Sequence, residues 1–375
     1  MNFALSDEQK MLADSAARYV RERCDLESRR QAAKSPDGFS RRHWRHFAEQ
    51  GWLALTLPED AGGLGLGLAD MVVLMEELGR GLVAEPVVDS AILCGTLLAE
   101  GNHAPSRAEL LPRVASGEAI LALAHLEEGG RAEYDTPVAA RATPDGDRWL
   151  ISGTKHLVCH GPAASHLVVS AEVAGEMGYS LFLVEAGANG IARDDYSLID
   201  GTRAADIHFS DVPATVRLQG AGGAARALHH ALDRAVIAGA AAALGSMEAV
   251  MDLTADYLKT REQYGQPLAG FQALRHRMAE MLVETEQARS LLYAALAALD
   301  GGDGEARARA VSGVKALVAQ AGMFVTGQGI QLHGGIGVTE EYAVGHHYKA
   351  LQLFDKRFGD SDFHLDRRAR TAPTH

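Results

Sequence analysis

Arg261-Glu-Gln-Tyr-Gly-Gln-Pro-Leu-Ala-Gly-Phe-Gln272 is a break between two long helical runs of the sequence. The runs cover residues 224–261 and 271–300, and a third run follows at 305–332. Glycine and proline interrupt the helical pattern in this break, as is usual for a loop. Long helices joined by short breaks of this kind favour antiparallel packing, so we predict a helical bundle over residues 220–375.

The same break carries side chains that a simple loop does not need. Arg261 can bind phosphate oxygens through two parallel hydrogen bonds, and the amide of Gln272 can address the edge of a ring. A second loop after Gln331, His333-Gly-Gly-Ile-Gly337, offers bare backbone N–H groups to an anion at close approach. Composition alone leaves two alternatives open, a site for a phosphate-bearing cofactor and a pair of ordinary loops.

The pattern changes in the middle of the chain, where short apolar or alternating segments replace the helical runs. Turn signals such as Thr143-Pro-Asp-Gly-Asp147 separate these segments. This pattern predicts a middle antiparallel β-barrel or sandwich at residues 119–219. The four clearest segments are Trp149-Leu-Ile-Ser152, Leu167-Val-Val-Ser170, Leu181-Phe-Leu-Val184 and Asp206-Ile-His-Phe209.

Residues 1–118 return to helical periodicity. Ser6 and Gln9 have the spacing of a capping box, and helices are predicted at 41–50 and 69–80. The fold class is therefore α+β multidomain, with a helical part, a β part and a second helical part.

Composition excludes several classes of protein. The chain has 375 residues and a net charge of -13, which argues against binding to nucleic acid or to anionic lipid. No window reaches the roughly 18 uninterrupted apolar residues of a membrane span. The first ten residues carry acids where a signal peptide needs a basic end and an apolar stretch, so we predict a cytoplasmic protein. Cys24, Cys94 and Cys159 fit neither a disulfide framework nor a zinc site.

Two tempting motifs are set aside. Gly63-Leu-Gly65-Leu-Gly67 lacks both the preceding strand and the spacing of a dinucleotide-binding loop. The histidine pairs have no third ligand at motif spacing, so no metal site is predicted. These pairs are His43 with His46, His229 with His230, and His346 with His347.

Asp233 is a candidate general base. It lies in Leu232-Asp-Arg-Ala-Val-Ile-Ala-Gly-Ala-Ala-Ala242, the helical segment richest in small residues. A carboxylate that faced inward there would be desolvated and basic enough to accept a proton. The alternative is a surface aspartate paired with a neighbouring arginine, and the residues alone do not choose between the two.

Five motifs, in this order along the chain, resemble the acyl-CoA dehydrogenase family. The first two are Leu5-Ser-Asp-Glu-Gln9 and Pro58-Glu-Asp-Ala-Gly-Gly-Leu-Gly65 with Glu76-Glu-Leu-Gly-Arg80. The third is Ile151-Ser-Gly-Thr-Lys155 of the central sheet. The last two, and the most specific, are Arg261-Glu-Gln-Tyr-Gly265 with Phe271-Gln272, and Gln331-Leu-His-Gly-Gly-Ile-Gly337.

The resemblance implies a helical N-terminal domain, a β middle domain and a C-terminal four-helix bundle, assembled as a dimer of dimers. It implies FAD as cofactor, an acyl-CoA thioester as substrate, the 2,3-enoyl-CoA as product and an electron-transfer flavoprotein as electron acceptor. By position, Arg261 would meet the FAD diphosphate across a subunit interface, and Tyr264 of the same motif would also bind the cofactor. Gln272 and Gln331 would lie near the adenosine half, and Gly334 and Gly335 would allow a close backbone approach.

The chain departs from the family pattern in three places. Phe358, followed by Gly359, occupies the position of the usual catalytic glutamate, and Asp233-Arg234 falls where some members place a carboxylate instead. Leu126 begins the segment that usually reads Thr-Glu-Pro over the flavin. Leu157 and Cys159 replace an aromatic residue and a threonine. Leu126 and Cys159 would then contact the flavin through their backbone.

These departures leave three functions open. The first is an FAD-dependent acyl-CoA dehydrogenase with Asp233 as its base, acting as a homotetramer or a heterotetramer. The second is a catalytically silent subunit that shares FAD with an active partner, because members with such changes, including steroid side-chain types, often form heteromers. The third is a flavin monooxygenase of the same fold.

Overall fold

A computed structural model of the chain describes residues 5–214, 216–299 and 304–371. Residues 1–4, part of the N-terminal stretch in which no signal peptide was predicted, and residues 372–375 lie outside the described residues. The described residues fall into two compact units. One is drawn from Met1–Arg30, Ala69–Val83 and Val236–His375, and the other from Gln31–Leu68 and Ala84–Ala235.

The N-terminal part is helical, as predicted. Ser6 Oγ accepts a hydrogen bond from Gln9 N, and the Gln9 side chain accepts one from Ser6 N at 3.1 Å, so the predicted capping box is present. A π-helical segment, Val87–Cys94, precedes a short α-helix without a loop between them. The α-helices of this part are α1 Asp7–Arg23, α2 Leu26–Ala33, α3 Arg41–Glu49, α4 Leu68–Arg80, α5 Gly95–Ala99 and α6 Ala104–Ala115.

The middle of the chain forms one sheet, which has eight strands among the described residues. The strands are β1 Leu121–Ala124, β2 Arg141–Asp145, β3 Arg148–Cys159, β4 His166–Val173, β5 Tyr179–Glu185, β6 Ile191–Ser197, β7 Arg203–Ala214 and β8 Val216–Gln219. Their order in the sheet is β6-β7-β3-β2-β4-β5-β8, and β1 pairs with β4 outside this path.

The sheet is mixed, which corrects the prediction of a purely antiparallel one. β1 pairs with β4 in parallel, with Leu121 opposite His166, and β2 pairs with β4 in parallel at Arg141 and Glu172. A parallel pair requires a long crossover connection. The chain between β1 and β4 supplies it, because that connection contains the β2–β3 hairpin. Ile151, Phe182 and Phe209 pack in the fully buried core of this sheet.

The C-terminal part is helical, and its three long helices lie within a few residues of the predicted runs. The helices are α7 Ala221–Thr260, α8 Gln272–Leu299, α9 Gly304–His333, α10 Ala343–Lys356 and α11 Ser361–Arg370. Helix α9 contacts α8, α10 and α11. Gly245 on α7 lets that helix approach α4 closely, since a Cβ there would lie 1.8 Å from the carbonyl oxygen of Glu76.

Within the part of the chain that the structure describes, two helical stretches are long and apolar enough to cross a membrane by length and composition alone. They lie in Ala221–Thr260 and Gly304–Val338, and 67% of each apolar window is buried within the protein. Buried core helices have the same composition, so these stretches are weak evidence for a span.

Candidate active site

Four of the residues predicted to bind the cofactor line one cavity of about 470 Å³. Arg261, Gln331, Gly334 and Gly335 are all among its lining residues, together with Arg277. A Cβ atom at Gly334 or at Gly335 would meet no heavy atom within 4 Å. The backbone there faces open space, and two arginines and two glutamines, Gln263 as well as Gln331, line the same cavity. This donor set fits a phosphate-bearing ligand with an adenine ring.

The loop that carries Arg261 is fixed at both ends by backbone hydrogen bonds. Arg261 N donates to Tyr257 O at 2.8 Å, and Leu268 N donates to Arg261 O at 2.8 Å. Between them, strands β9 Glu262–Gln263 and β10 Gln266–Pro267 form a hairpin with a two-residue turn. Tyr264 and Gly265 both have positive φ, 55° and 79°, as a type I′ turn requires. The hairpin therefore places Arg261 at the cavity rim.

Tyr264 and Gln272 lie outside the set of described residues that line this cavity. Tyr264 is 91% exposed at the tip of the hairpin, and its ring meets Phe271 edge-on at 6.2 Å. Gln272 is exposed as the first residue of α8. Their assignment to the cofactor stays a prediction.

Asp233 is buried on α7, with 1% of its surface exposed. The hydroxyl of Tyr134 donates a hydrogen bond to Asp233 Oδ1 at 2.9 Å. The alternative of a surface aspartate is therefore wrong. The small residues of α7 are consistent with this burial, because Ala231 and Ala235, both fully buried, allow close packing of the helix around Asp233.

The loop between β1 and β2, residues 125–140, is the segment that carries both Leu126 and Tyr134. His125 Nε2 lies 2.9 Å from Glu133 O, and Lys155 Nζ lies 2.5 Å from Glu127 Oε1. Burial lowers the pKa of Lys155 to about 8, although the hydrogen bond with Glu127 opposes this shift. These contacts hold the loop against β3.

Leu126 and Cys159 lie on neighbouring segments of the same unit. Leu126 O accepts a hydrogen bond from His156 N at 2.8 Å, which joins the loop to β3 three residues before Cys159. Cys159 is half-buried and pairs with Ala204 of β7. Leu157, which lies between His156 and Cys159 on β3, has a φ of 50° at an irregularity in the β3–β7 pairing.

Phe358 is 4% exposed and has a φ of 58°. His364 Nε2 lies 2.8 Å from the Phe358 carbonyl oxygen, and the Arg357 guanidinium lies 4.5 Å from the centre of the Phe358 ring. Burial lowers the pKa of His364 to about 3, so this imidazole is neutral and donates to the carbonyl. His364 thus holds the backbone of the loop at the position where the family resemblance expects a catalytic glutamate. The side chain of Phe358, which stands at that position, cannot accept a proton.

The described residues hold no group of three or more His, Cys, Asp or Glu side chains arranged to bind a metal ion. Histidines of the predicted pairs have partners other than a metal, and His346 Nε2, for example, lies 3.1 Å from Glu340 O. His229 Nε2 donates to Tyr134 O at 3.0 Å, and His230 Nδ1 lies 2.6 Å from Glu100 Oε1.

The sequence reasoning missed Tyr134, Glu127 and His364. Tyr134 lies in a polar segment with no periodicity, and its partner Asp233 is 99 positions away. Lys155 belongs to a predicted motif, and because a buried lysine needs an acidic partner, Glu127 after β1 was the sequence signal for this pair.

Two family models match most of the chain. Residues 6–118 match the acyl-CoA dehydrogenase N-terminal domain, and residues 221–372 match the acyl-CoA dehydrogenase C-terminal domain. Among curated proteins, the chain is 30% identical to the mitochondrial isovaleryl-CoA dehydrogenase of Pongo abelii, over 96% of this chain and 87% of the relative.

Solved structures include two that are similar over nearly their whole length. A Tcur3481-Tcur3483 steroid ACAD variant matches with a TM-score of 0.88 and 33% identity, over 97% of both chains. The ChsE4-ChsE5 complex from Mycobacterium tuberculosis matches with a TM-score of 0.89 and 25% identity, over 100% of both chains. Both similarities extend through the helical and the sheet parts.

Proposed function

Because the chain belongs to the acyl-CoA dehydrogenase family, oxidoreductases that act on CH–CH groups, we propose that it converts an acyl-CoA thioester to its 2,3-enoyl-CoA. The observation that carries this proposal is the buried carboxylate of Asp233 and its hydrogen bond from Tyr134. A carboxylate held in one place by a helix and a hydrogen bond can act as the general base for an α-proton.

In this proposal the Asp233 carboxylate takes the α-proton of the acyl group onto one of its oxygens. When FAD, the cofactor of this family, is bound, it would supply the acceptor for the hydride that leaves the β-carbon. The protein excludes water from Asp233, which is 1% exposed, and holds the carboxylate through Tyr134. The acyl group and the base then react in a fixed geometry.

We assign the cofactor's phosphate and adenosine portions to the cavity of Arg261, Gln331, Gly334 and Gly335. The open space in front of both glycines and the bidentate capacity of Arg261 support this assignment. Tyr264 and Gln272 would contribute from the hairpin and the start of α8. Leu126 and Cys159 would contribute backbone groups.

The partners of the reaction are part of the proposal. Tetramers are typical of the family, and Arg261 would reach the FAD of a neighbouring subunit. Electrons would pass to an electron-transfer flavoprotein. The proposed location is the cytoplasm, and the boundaries of the three domains at residues 118 and 219 remain predictions.

Phe358 favours a second candidate, a subunit that shares FAD while its partner supplies the base. The similarity to the ChsE4-ChsE5 complex supports this alternative as well. Co-expression with a second dehydrogenase-type subunit separates the two. Activity that appears only in the mixed complex, and that survives the loss of Asp233, would favour the silent subunit.

The test of the main proposal is an anaerobic titration of the purified protein with a panel of acyl-CoA thioesters. We expect the visible absorption of bound FAD to bleach with at least one of them, and the product to have lost two hydrogen atoms by mass spectrometry. An unchanged spectrum with every thioester, for a protein that carries FAD, would exclude independent dehydrogenation.

A further inference from the structure

We infer that Tyr134 is a positioning residue for Asp233, which fixes the direction of the carboxylate that removes the α-proton. This inference rests on the proposed role of Asp233 as the base. Its central observation is the 2.9 Å hydrogen bond from the Tyr134 hydroxyl to Asp233 Oδ1. Both side chains are buried, at 6% and 1% exposure, so water does not compete strongly for this bond.

The backbone of Tyr134 is held from two sides. His125 Nε2 donates to the carbonyl of Glu133 at 2.9 Å, and His229 Nε2 donates to the carbonyl of Tyr134 at 3.0 Å. The His229 ring also packs on the Tyr134 ring, with centroids 5.4 Å apart. His229 lies one helical turn before Asp233 on α7, so the same turn of helix carries the base and a clamp for its partner.

The protonation state of His125 determines which of its hydrogen bonds it donates and which it accepts. Burial, with Lys155 nearby, lowers the pKa of His125 to about 3, so the imidazole is neutral and has one N–H group. That group is on Nε2, because a carbonyl only accepts. Nδ1 therefore accepts from Ser170 Oγ at 2.7 Å, and Ser170 Oγ accepts from Lys155 Nζ at 2.8 Å. An ordered network from Lys155 to Glu133 O thus fixes the residue before Tyr134.

An aspartate base needs such a partner more than a glutamate does. The side chain is one methylene shorter, so its oxygens have a shorter reach from the helix and their orientation matters more. A hydrogen bond on Oδ1 restricts rotation of the carboxylate and fixes where the second carboxylate oxygen lies. Tyr134 itself has no role in transferring the proton in this scheme.

The experiment compares Tyr134→Phe with the wild-type holoenzyme. The matched control is Tyr179→Phe, which removes a hydroxyl from the ring that packs on His125 at 5.2 Å. The probe is a 3-thia-acyl-CoA, whose α-hydrogens are acidic but whose sulfur at position 3 cannot release hydride. Exchange of its α-hydrogens in D₂O, followed by mass spectrometry, reports proton removal without oxidation.

We expect Tyr134→Phe to slow the exchange, and the rate constant of FAD reduction by substrate, by about 10- to 100-fold. The Kd of the 3-thia-acyl-CoA should stay within about twofold of wild type, because the hydroxyl positions the base rather than the ligand. Tyr179→Phe should match wild type in all three measurements.

Wild-type exchange in Tyr134→Phe, with exchange abolished in Asp233→Asn, would overturn the positioning role and leave the proposed function standing. Unchanged exchange in Asp233→Asn would instead overturn the proposed function. If Tyr134→Phe does not fold, His229→Leu and His229→Gln decide the question. The glutamine keeps a donor for the Tyr134 carbonyl and should retain faster exchange than the leucine, and equal rates in the two would contradict the inference.

Discussion

Lys155 and Glu127 form a buried ion pair, with Nζ 2.5 Å from Oε1 and the two side chains 0% and 9% exposed. Glu127 also accepts hydrogen bonds from the backbone N–H groups of Ala139 and Ala140, at 2.7 and 3.1 Å. One carboxylate therefore ties β3 to both ends of the loop that presents Tyr134. The pair thus links Lys155 of the central sheet to the loop whose Tyr134 donates a hydrogen bond to the candidate base, Asp233.

Lys155→Met should destabilise the protein strongly, because it leaves the Glu127 carboxylate buried without its cation. Removing one partner of a buried pair costs about 3–5 kcal/mol. The control is Lys259→Met, which removes an exposed lysine 3.5 Å from Asp256 and should cost less than about 1 kcal/mol. Urea unfolding followed by circular dichroism measures both, and equal midpoints for the two variants would contradict the role of the pair.

Arg261→Gln should weaken FAD binding. The substitution removes a guanidinium that can hold phosphate oxygens with two hydrogen bonds, so we expect the Kd for FAD to rise about 10- to 100-fold. Arg275→Gln, an exposed residue of α8 outside the lining of the cavity, is the matched control. Flavin fluorescence titrations of the apoproteins give the Kd values, and an unaltered Kd in Arg261→Gln would place the phosphates elsewhere.

Glu76 should make the stability of the protein depend on pH. Burial raises the pKa of this carboxyl from 4.5 to about 7, although Arg289, with Nη1 3.4 Å from Oε2, opposes the shift. A raised pKa in the folded state stabilises the fold fully below pH 4.5, and this contribution is lost as the pH rises through 7. As the pH rises from 4.5 to above 7, the free energy of unfolding of the wild type should therefore fall by up to about 3 kcal/mol relative to that of Glu76→Gln.

The control for Glu76→Gln is Glu286→Gln, which removes a half-exposed carboxylate 3.4 Å from the same arginine. It should keep the pH dependence of the wild type. Thermal unfolding midpoints measured from pH 4.5 to pH 8 compare the three proteins. Parallel curves for wild type and Glu76→Gln would show that Glu76 does not carry this dependence.

Phe358→Leu should leave proton removal intact. A phenyl side chain cannot accept a proton, so exchange of the α-hydrogens of a 3-thia-acyl-CoA should remain within about twofold of wild type. Some stability should be lost, because Phe358 is buried and packs against Arg357. Phe363→Leu, 7% exposed on α11, is the control for that loss. A specific loss of exchange in Phe358→Leu would assign position 358 to the chemistry.

Features with local sequence signals were predicted well. The capping box of Ser6 and Gln9 and the helix at Gln272–Leu299 follow from short-range patterns, and both are present. The family motifs also grouped Arg261, Gln331, Gly334 and Gly335 at one site, and these four residues line one cavity, while their contact with the cofactor stays a prediction.

Features that depend on distant pairing were not predicted. The parallel pairing of β1 with β4 joins Leu121 to His166, and no periodicity in either strand specifies a parallel neighbour. The partner of Asp233 was missed for the same reason, since a single buried tyrosine on a loop has no repeating pattern. Burial of Asp233 was foreseen as one of two alternatives, because the small residues of its helix favour close packing.

The most direct test of the proposed chemistry is the anaerobic rate of FAD reduction by a reactive acyl-CoA in Asp233→Asn. Asn keeps the size of the side chain and still accepts a hydrogen bond from Tyr134, but it cannot take up the α-proton. Asp256→Asn, on the exposed end of the same helix, is the matched control. We predict a loss of at least about 1,000-fold in Asp233→Asn, with wild-type reduction in Asp256→Asn. Reduction at the wild-type rate in Asp233→Asn would contradict the assignment of Asp233 as the base.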